Sequence, residues 1–266
     1  MRRVWADGAG DVHAFFCRTE ALDAADLEAA VALLSHAERE RHARFGFARD
    51  RREYAVAHAL VRVLVGAILG VPPSGVELTA DERGKPMVVL SNSQKRRPAF
   101  SLSHCQGLAT CVVAPEALVG IDVEAMHASV DFSRIAAEYF TPAECEGLEA
   151  CHGDARVRRF YALWTLKEAL FKATGLAPGE LGGASFTISD SGAVSLGPCA
   201  ALPADEWTCR LARLSPFHTL SIVASASSGA SPQLWLHEFN GDELVEAASL
   251  WRPIGSQRGS PGIAPA

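Results

Sequence analysis

Two long helix signals, each closed by glycine and each followed by a run of short strands, constrain this chain more than any other feature of it. The first helix spans about Asp50 to Leu69 and stops at Gly70, ahead of Pro72-Pro73. The second spans about Asp154 to Thr174 and stops at Gly175. Glycine supplies the left-handed residue that commonly ends a helix, and proline cannot continue one. Asp154 fits an N-cap. A shorter helix is expected over Thr141–Cys151, where Thr141-Pro142-Ala143-Glu144 reads as cap, first-turn proline and capping-box glutamate. Strand signals follow the first long helix at Pro86–Leu90, Ala99–Leu102, Leu108–Ala114 and Leu118–Val123. They follow the second at Ser185–Ser189, Trp207–Leu214, Thr219–Ala224 and Gln233–Glu238. Gly107–Ala114 (GLATCVVA) also resembles Phe217–Ala224 (FHTLSIVA). The same order twice predicts an α+β fold, a pseudo-twofold duplication of two similar half-domains. The halves are expected at residues 1–117 and 118–250, with a Gly/Ser/Pro-rich disordered tail at 251–266.

Composition excludes several function classes. The 266 residues are 48% hydrophobic and 21% charged, as in an ordered globular chain. With 31 acidic and 25 basic side chains the net charge is −6, so nucleic acid, which favours a basic domain, is not an expected partner. No membrane span is expected: Val63–Val76 is short and broken by Pro72-Pro73, and Leu214–Leu236 is interrupted by the Ser/Ala/Gly run Ser225–Ser231. Met1-Arg2-Arg3 is followed by Asp7 and Asp11 without an apolar core, unlike a secretory signal. Seven cysteines without a CxxC pair suit neither a disulfide framework nor a Cys₄ zinc site, and the cytoplasm is the expected compartment.

Candidate chemistry gathers at a few places. In Gly120-Ile121-Asp122-Val123-Glu124, strand alternation turns Val119, Ile121 and Val123 toward a core and sets Asp122 and Glu124 side by side on the other face. Adjacent carboxylates repel unless a cation lies between them, so this is either a Mg²⁺ site or a solvated strand face. On the second long helix, Glu168 falls with Val157, Phe160, Tyr161, Trp164 and Phe171 inside an arc of about 100°. A carboxylate among aromatics points to a functional site, with a Glu168–Lys172 surface pair as the alternative. On the first long helix, Arg51, His58 and Arg62 lie within about 40° of one another, either a stripe for an anionic ligand or a solvated outer face. The turn Arg83-Gly84-Lys85-Pro86 and the strand end Phe100-Ser101-Leu102-Ser103-His104 could each meet phosphate oxygens. Neither a Walker loop nor a GxSxG elbow is present.

Taken together, Arg83–Pro86, Phe100–His104, Gly120–Glu124 and Trp164-Thr165-Leu166-Lys167-Glu168-Ala169-Leu170-Phe171-Lys172 resemble the Sfp-type 4′-phosphopantetheinyl transferases in order and spacing, over roughly Ala37 to Ala224. The resemblance implies coenzyme A in a cleft between the two halves, and transfer of its phosphopantetheine arm to a serine of an acyl or peptidyl carrier protein. The by-product would be adenosine 3′,5′-bisphosphate. It implies Mg²⁺ held by Asp122, Glu124 and Glu168, with Lys172 on the pyrophosphate and Glu168, or a metal-bound water beside it, as base. Arg62, Lys85, Pro86, Ser103 and His104 would line the coenzyme site, with Arg44 and Arg49 as further phosphate contacts. A monomer, itself a pseudo-dimer, is implied. The sequence carries His127 where an arginine often follows the acidic pair, and a longer loop at Gln94–Pro98. The basic run Lys95-Arg96-Arg97 in that loop either steers the carrier or only solubilises. Competing readings are another Mg²⁺-dependent transferase or hydrolase of a nucleotide pyrophosphate, and a scaffold that binds carriers without modifying them. A coenzyme A requirement separates the first, and the intact acidic set argues against the second.

Overall fold

The computed structural model describes residues 11–82, 85–90, 97–115, 117–181, 183–202, 207–225 and 231–249. The expected tail at 251–266, Arg83 and Gly84 of the turn, and Lys95 and Arg96 of the basic run lie outside the described residues. The chain runs β1 (Val12–Arg18), α1 (Ala24–Leu33), α2 (His36–Ala43), α3 (Ala48–Leu69), β2 (Leu78–Ala80), β3 (Pro86–Val88), β4 (Ala99–Cys105) and β5 (Leu108–Ala114). The order then repeats as β6 (Val119–Ala125), α4 (Phe132–Tyr139), α5 (Pro142–Glu149), α6 (Gly153–Thr174), β7 (Phe186–Ile188), β8 (Val194–Leu196), β9 (Trp207–Ser215) and β10 (His218–Ser225). β11 (Leu234–Glu238) and α7 (Gly241–Ser249) follow. Each unit is a strand, two short helices, one long helix, a hairpin and two long strands. This is the α+β duplication expected from the sequence. The Leu118–Val123 signal falls on β6, which opens the second unit.

One sheet has the order β11-β1-β5-β4 and another β6-β10-β9, antiparallel except for the parallel β1–β11 pair. Strand alternation sorts their side chains into layers. Val12, Ala14, Phe16, Leu108 and Val112 of the first sheet pack against Val119, Ile121, Val123, Leu220 and Ile222 of the second. On the outer face of the first sheet, Phe15, Cys111 and Val113 pack with Leu60 and Leu64 of α3. On the outer face of the second, Val223 packs with Phe160, Leu163, Leu166 and Leu170 of α6. The layers are therefore helix, sheet, sheet, helix, and β4 runs beside β6 where the halves meet.

Local signals set the helix ends. Gly70 and Gly175 end α3 and α6 in the left-handed conformation, at φ 70° and 72°. Thr141 and Glu144 form the capping box of α5. The cap of α6 is His152, and Asp154 sits inside the first turn, where its charge still suits the helix dipole. Glu144 also pairs with Lys167 Nζ at 2.9 Å and accepts from Phe186 N at 2.8 Å, pinning α5, α6 and β7 together.

The end of the chain departs from the expected division. β11 pairs with β1, α7 packs on α1, and Phe239, Leu244 and Ala247 are buried in the first core. Residues 231–249 thus join the first half and not the half expected at 118–250. The late strand covers an edge that β1 would otherwise leave unpaired.

Candidate active site

The centre is built where β6 lies on α6. A Cβ on Gly120 would overlap the backbone carbonyl of Ala169, so glycine permits this approach. Two residues on, Asp122 is 4% exposed. Its Oδ1 accepts from Lys172 Nζ at 2.6 Å and from Ser103 Oγ at 2.8 Å, and Lys172 Nζ also donates to Ser103 Oγ at 3.0 Å. Ser103 belongs to β4, so this triangle ties the two halves together. Asp122 Oδ2 is buried and has no hydrogen-bond partner. Glu124 projects on the same side of β6, and its Oε1 accepts from Trp164 Nε1 at 3.4 Å. Burial, then the charge of Asp122, push the Glu124 pKa up to about 7, against the pull of Trp164 and Lys172. Glu168 is raised too, by burial first and Asp122 second, with Lys172 opposing.

Two carboxylates whose pKa values are raised by burial and by the charge of Asp122, with an orphaned buried oxygen on Asp122 itself, fit a hard divalent cation with oxygen ligands. They are not drawn into a closed set. Among the described residues no group of three His, Cys, Asp or Glu side chains is gathered to hold a metal ion. Asp122 is instead paired with the Lys172 ammonium at 2.6 Å.

The residues expected around the coenzyme fall in three places. Lys85 and Pro86 line a cavity of about 340 Å³ with Phe100, Ser101, Leu102, Phe171, Lys172, Gly175 and Leu176. Lys85 Nζ donates to Ala173 O at 2.8 Å at the end of α6, and burial lowers its pKa. Arg44 lines a second, shallower hollow of about 630 Å³ with Ala37, Glu40, Arg41 and Phe45. His104 relates electrostatically to both. Desolvation lowers its pKa first, followed by the positive charges of His58 and Lys172, with Arg41 a smaller contributor. Arg49 stands farther out, bonded to Asp50 Oδ1 at 3.2 Å and Gln106 Oε1 at 3.5 Å.

Arg62 requires a correction. It is 4% exposed, its Nε donates to Glu38 Oε2 at 2.6 Å, and its Nη1 donates to the carbonyls of Pro73 and Val76 at 3.1 and 3.0 Å. His58 Nδ1 meets the other oxygen of Glu38 at 3.1 Å. The polar face of α3 is therefore neither a ligand stripe nor a solvated surface at these residues. It is an internal ion-pair network roofed by α2, and Arg62 lines neither hollow.

Comparison with known proteins follows the same division. Residues 118–222 match the model of the 4′-phosphopantetheinyl transferase superfamily, and residues 23–117 match that of the 4′-phosphopantetheinyl transferase N-terminal region. The 4′-phosphopantetheinyl transferase HetI of a Nostoc species is 31% identical over 210 residues, covering 79% of this chain and 85% of the relative. This chain belongs to the 4′-phosphopantetheinyl transferase superfamily. The 4′-phosphopantetheinyl transferase of Bacillus subtilis is 29% identical, over 66% of this chain and 75% of its own. The L-aminoadipate-semialdehyde dehydrogenase-phosphopantetheinyl transferase of Homo sapiens is 29% identical, over 83% of this chain and 76% of its own. The chain is thus a transferase, and no helix among its described residues is long and apolar enough to cross a membrane.

Sequence reasoning missed three residues in these clusters. Arg41 lines the second hollow, with its guanidinium over the Tyr54 ring at 5.8 Å. Glu38 holds both His58 and Arg62, and the capping box it forms with Ser35 starts α2. Ser35-His36-Ala37-Glu38 carries that capping signature openly, so α2 was within reach. Trp164 was read only as part of an aromatic arc, and its N–H to Glu124 could not be seen without β6 in place.

Proposed function

We propose that this transferase moves the 4′-phosphopantetheine arm of coenzyme A to a serine of an apo acyl or peptidyl carrier protein, releasing adenosine 3′,5′-bisphosphate. The observation that carries the reading is the Ser103–Asp122–Lys172 triangle at the seam of the halves, with Glu124 and Glu168 beside it. The serine Oγ bonds to the β-phosphorus, the bond from that phosphorus to the bridging oxygen breaks, and the serine proton is lost. Glu168 takes that proton: its raised pKa makes it a stronger base than an exposed carboxylate. Lys172, steadied by Asp122 and Ser103, meets the charge that grows on the departing phosphate. Asp122, Glu124 and Glu168 would hold Mg²⁺, which when bound supplies neutralisation of pyrophosphate oxygens. We assign Lys85, Pro86, Ser103 and His104 to the coenzyme, with Arg44 and Arg49 toward its phosphate-bearing end. The chain works as a single pseudo-dimeric unit, and its seven free thiols suit a reducing compartment such as the cytoplasm.

The test is product analysis. Adenosine 3′,5′-bisphosphate should appear in step with loss of coenzyme A, only when an apo-carrier is present and only with a divalent cation. A carrier whose acceptor serine is alanine should yield none. Nucleotide release without a carrier would instead mark a pyrophosphate hydrolase.

A further inference from the structure

We infer that the β9–β10 turn, with Phe217 at its tip and Arg213 at its base, is the surface on which the protein substrate docks. The inference rests on the proposed transfer to a carrier protein and names the face that carrier covers. The partner it fits is the acidic face of the serine-bearing protein, with an apolar side chain at its middle.

The geometry begins at the reacting centre. Along α6, Gly175 and Lys172 border the 340 Å³ cavity, Glu168 lies one turn back, and Trp164 reaches Glu124 one turn further. The cavity therefore lies at one end of the cleft and Glu124 at the other. In the second sheet, Glu124 is paired with Thr219, and Thr219 with Arg213. Residues paired directly across strands project on one face, so Arg213 shares the face of Glu124. Phe217 follows the same edge: its carbonyl accepts from Met126 N at 2.7 Å, two residues past Glu124. At about 3.3 Å per residue, Phe217 stands roughly 7 Å along the strand from the level of Glu124.

The surface there is unusual for an exposed turn. Phe217 is 68% exposed, and the only other large apolar side chain among the described residues with as much exposure is Phe47, at 72%. Residues near each in sequence bond to the β4–β5 turn at Gln106, whose carbonyl meets His218 Nε2 at 2.8 Å and whose side chain accepts from Arg49 at 3.5 Å. The tip is fixed by these bonds and by Ser215 Oγ, which meets His218 Nδ1 at 2.8 Å and accepts from Phe217 N at 3.1 Å. A rigid exposed aromatic loses little entropy on being covered, which suits an anchor. Arg213, exposed and bonded to Pro216 O at 3.4 Å, puts positive charge beside it on a chain whose net charge is −6. A coenzyme entering by the cavity leaves this opposite rim free for a macromolecule, and the exposed Arg213 offers a counter-charge to an acidic one.

The experiment compares wild type, Phe217→Glu, Phe217→Ser and Arg213→Glu with an apo acyl carrier protein of net negative charge, at saturating coenzyme A. Each variant should lower kcat/KM for the carrier about tenfold or more while leaving coenzyme A affinity by calorimetry unchanged. The Arg213→Glu defect should shrink at 1 M salt, where the screening length falls to about 3 Å. Unfolding midpoints within a degree or two of wild type confirm folded variants, and Phe217→Ser retains the test if the glutamate disturbs the turn. Unchanged carrier kinetics in the Phe217 variants, or an equal loss of coenzyme A affinity, overturns the docking surface. A wild type that modifies no carrier overturns the proposed function itself.

Discussion

Asp122 accepts two hydrogen bonds on one oxygen and none on the other, and this asymmetry makes it the most informative residue in the cleft. Its hydrogen bonds go to Ser103 and Lys172 at the seam, so its removal should spare the apolar cores. Asp122→Ala is expected to lower kcat by a factor of about 10² or more, because it releases Lys172 and removes a candidate metal oxygen. Thermal unfolding should stay within a few degrees of wild type, and a large fall in the midpoint would reassign Asp122 to structure. Gly120 behaves in the opposite way. Gly120→Ala would drive a Cβ into the backbone carbonyl of Ala169, which no rotamer can relieve. That variant should lose stability by ~2 kcal/mol or more and lose activity with it, read as the denaturation midpoint against kcat. Both residues stood out in the sequence as one short strand motif. That one would be chemical and the other steric was not legible, because the clash depends on α6, which comes roughly 50 residues later.

Helix α2 shows how an element can change the meaning of residues on its neighbour. Burial works against the Glu38 carboxylate, but hydrogen bonds from His58, Arg62 and the Ser35 backbone, with the Arg62 charge, outweigh it and bring its pKa from 4.5 down to about 2. A depressed carboxylate stabilises the fold fully above its unfolded pKa, and that stability is lost as pH falls from 4.5 toward 2. Glu38→Gln should therefore be less stable at pH 7 and show a flatter acid limb between pH 4.5 and 2 in denaturant titrations. A parallel acid limb would place the stabilisation elsewhere. Arg62→Ala should likewise cost stability, ~3–5 kcal/mol for a broken buried pair, with coenzyme A KM unchanged in whatever fraction folds. The long helices, their glycine ends and the α5 capping box were legible because those signals are local. Helix α2 announces itself only by its capping box: its residues His36–Ala43 are almost wholly polar and offer no apolar period, and without α2 in place Arg62 looks available.

At the scale of the whole molecule, the duplication was legible from element order alone, while its closure was not. The pairing of β1 with β11 joins residues more than 220 positions apart, as in the His13–His237 contact at 3.2 Å, and no local pattern encodes such a partner. Its consequence is testable. A chain cut after residue 230 loses β11 and α7, uncovers β1 and removes Phe239, Leu244 and Ala247 from the first core. It should unfold cooperatively at a far lower temperature than the full chain and lose coenzyme A binding, whereas removing only residues 251–266 should change neither. Equal melting of both truncations would show that the first half closes without its late strand. On the proposed function, the seam between the halves transfers a phosphopantetheine arm to protein. The intact mass of an apo-carrier, measured after incubation with this chain, coenzyme A and Mg²⁺, tests it most directly. Wild type should add the mass of one phosphopantetheine arm to the acceptor serine, and Asp122→Ala almost none in the same time; an unmodified carrier with wild type, or equal modification by Asp122→Ala, would overturn the transfer at this seam.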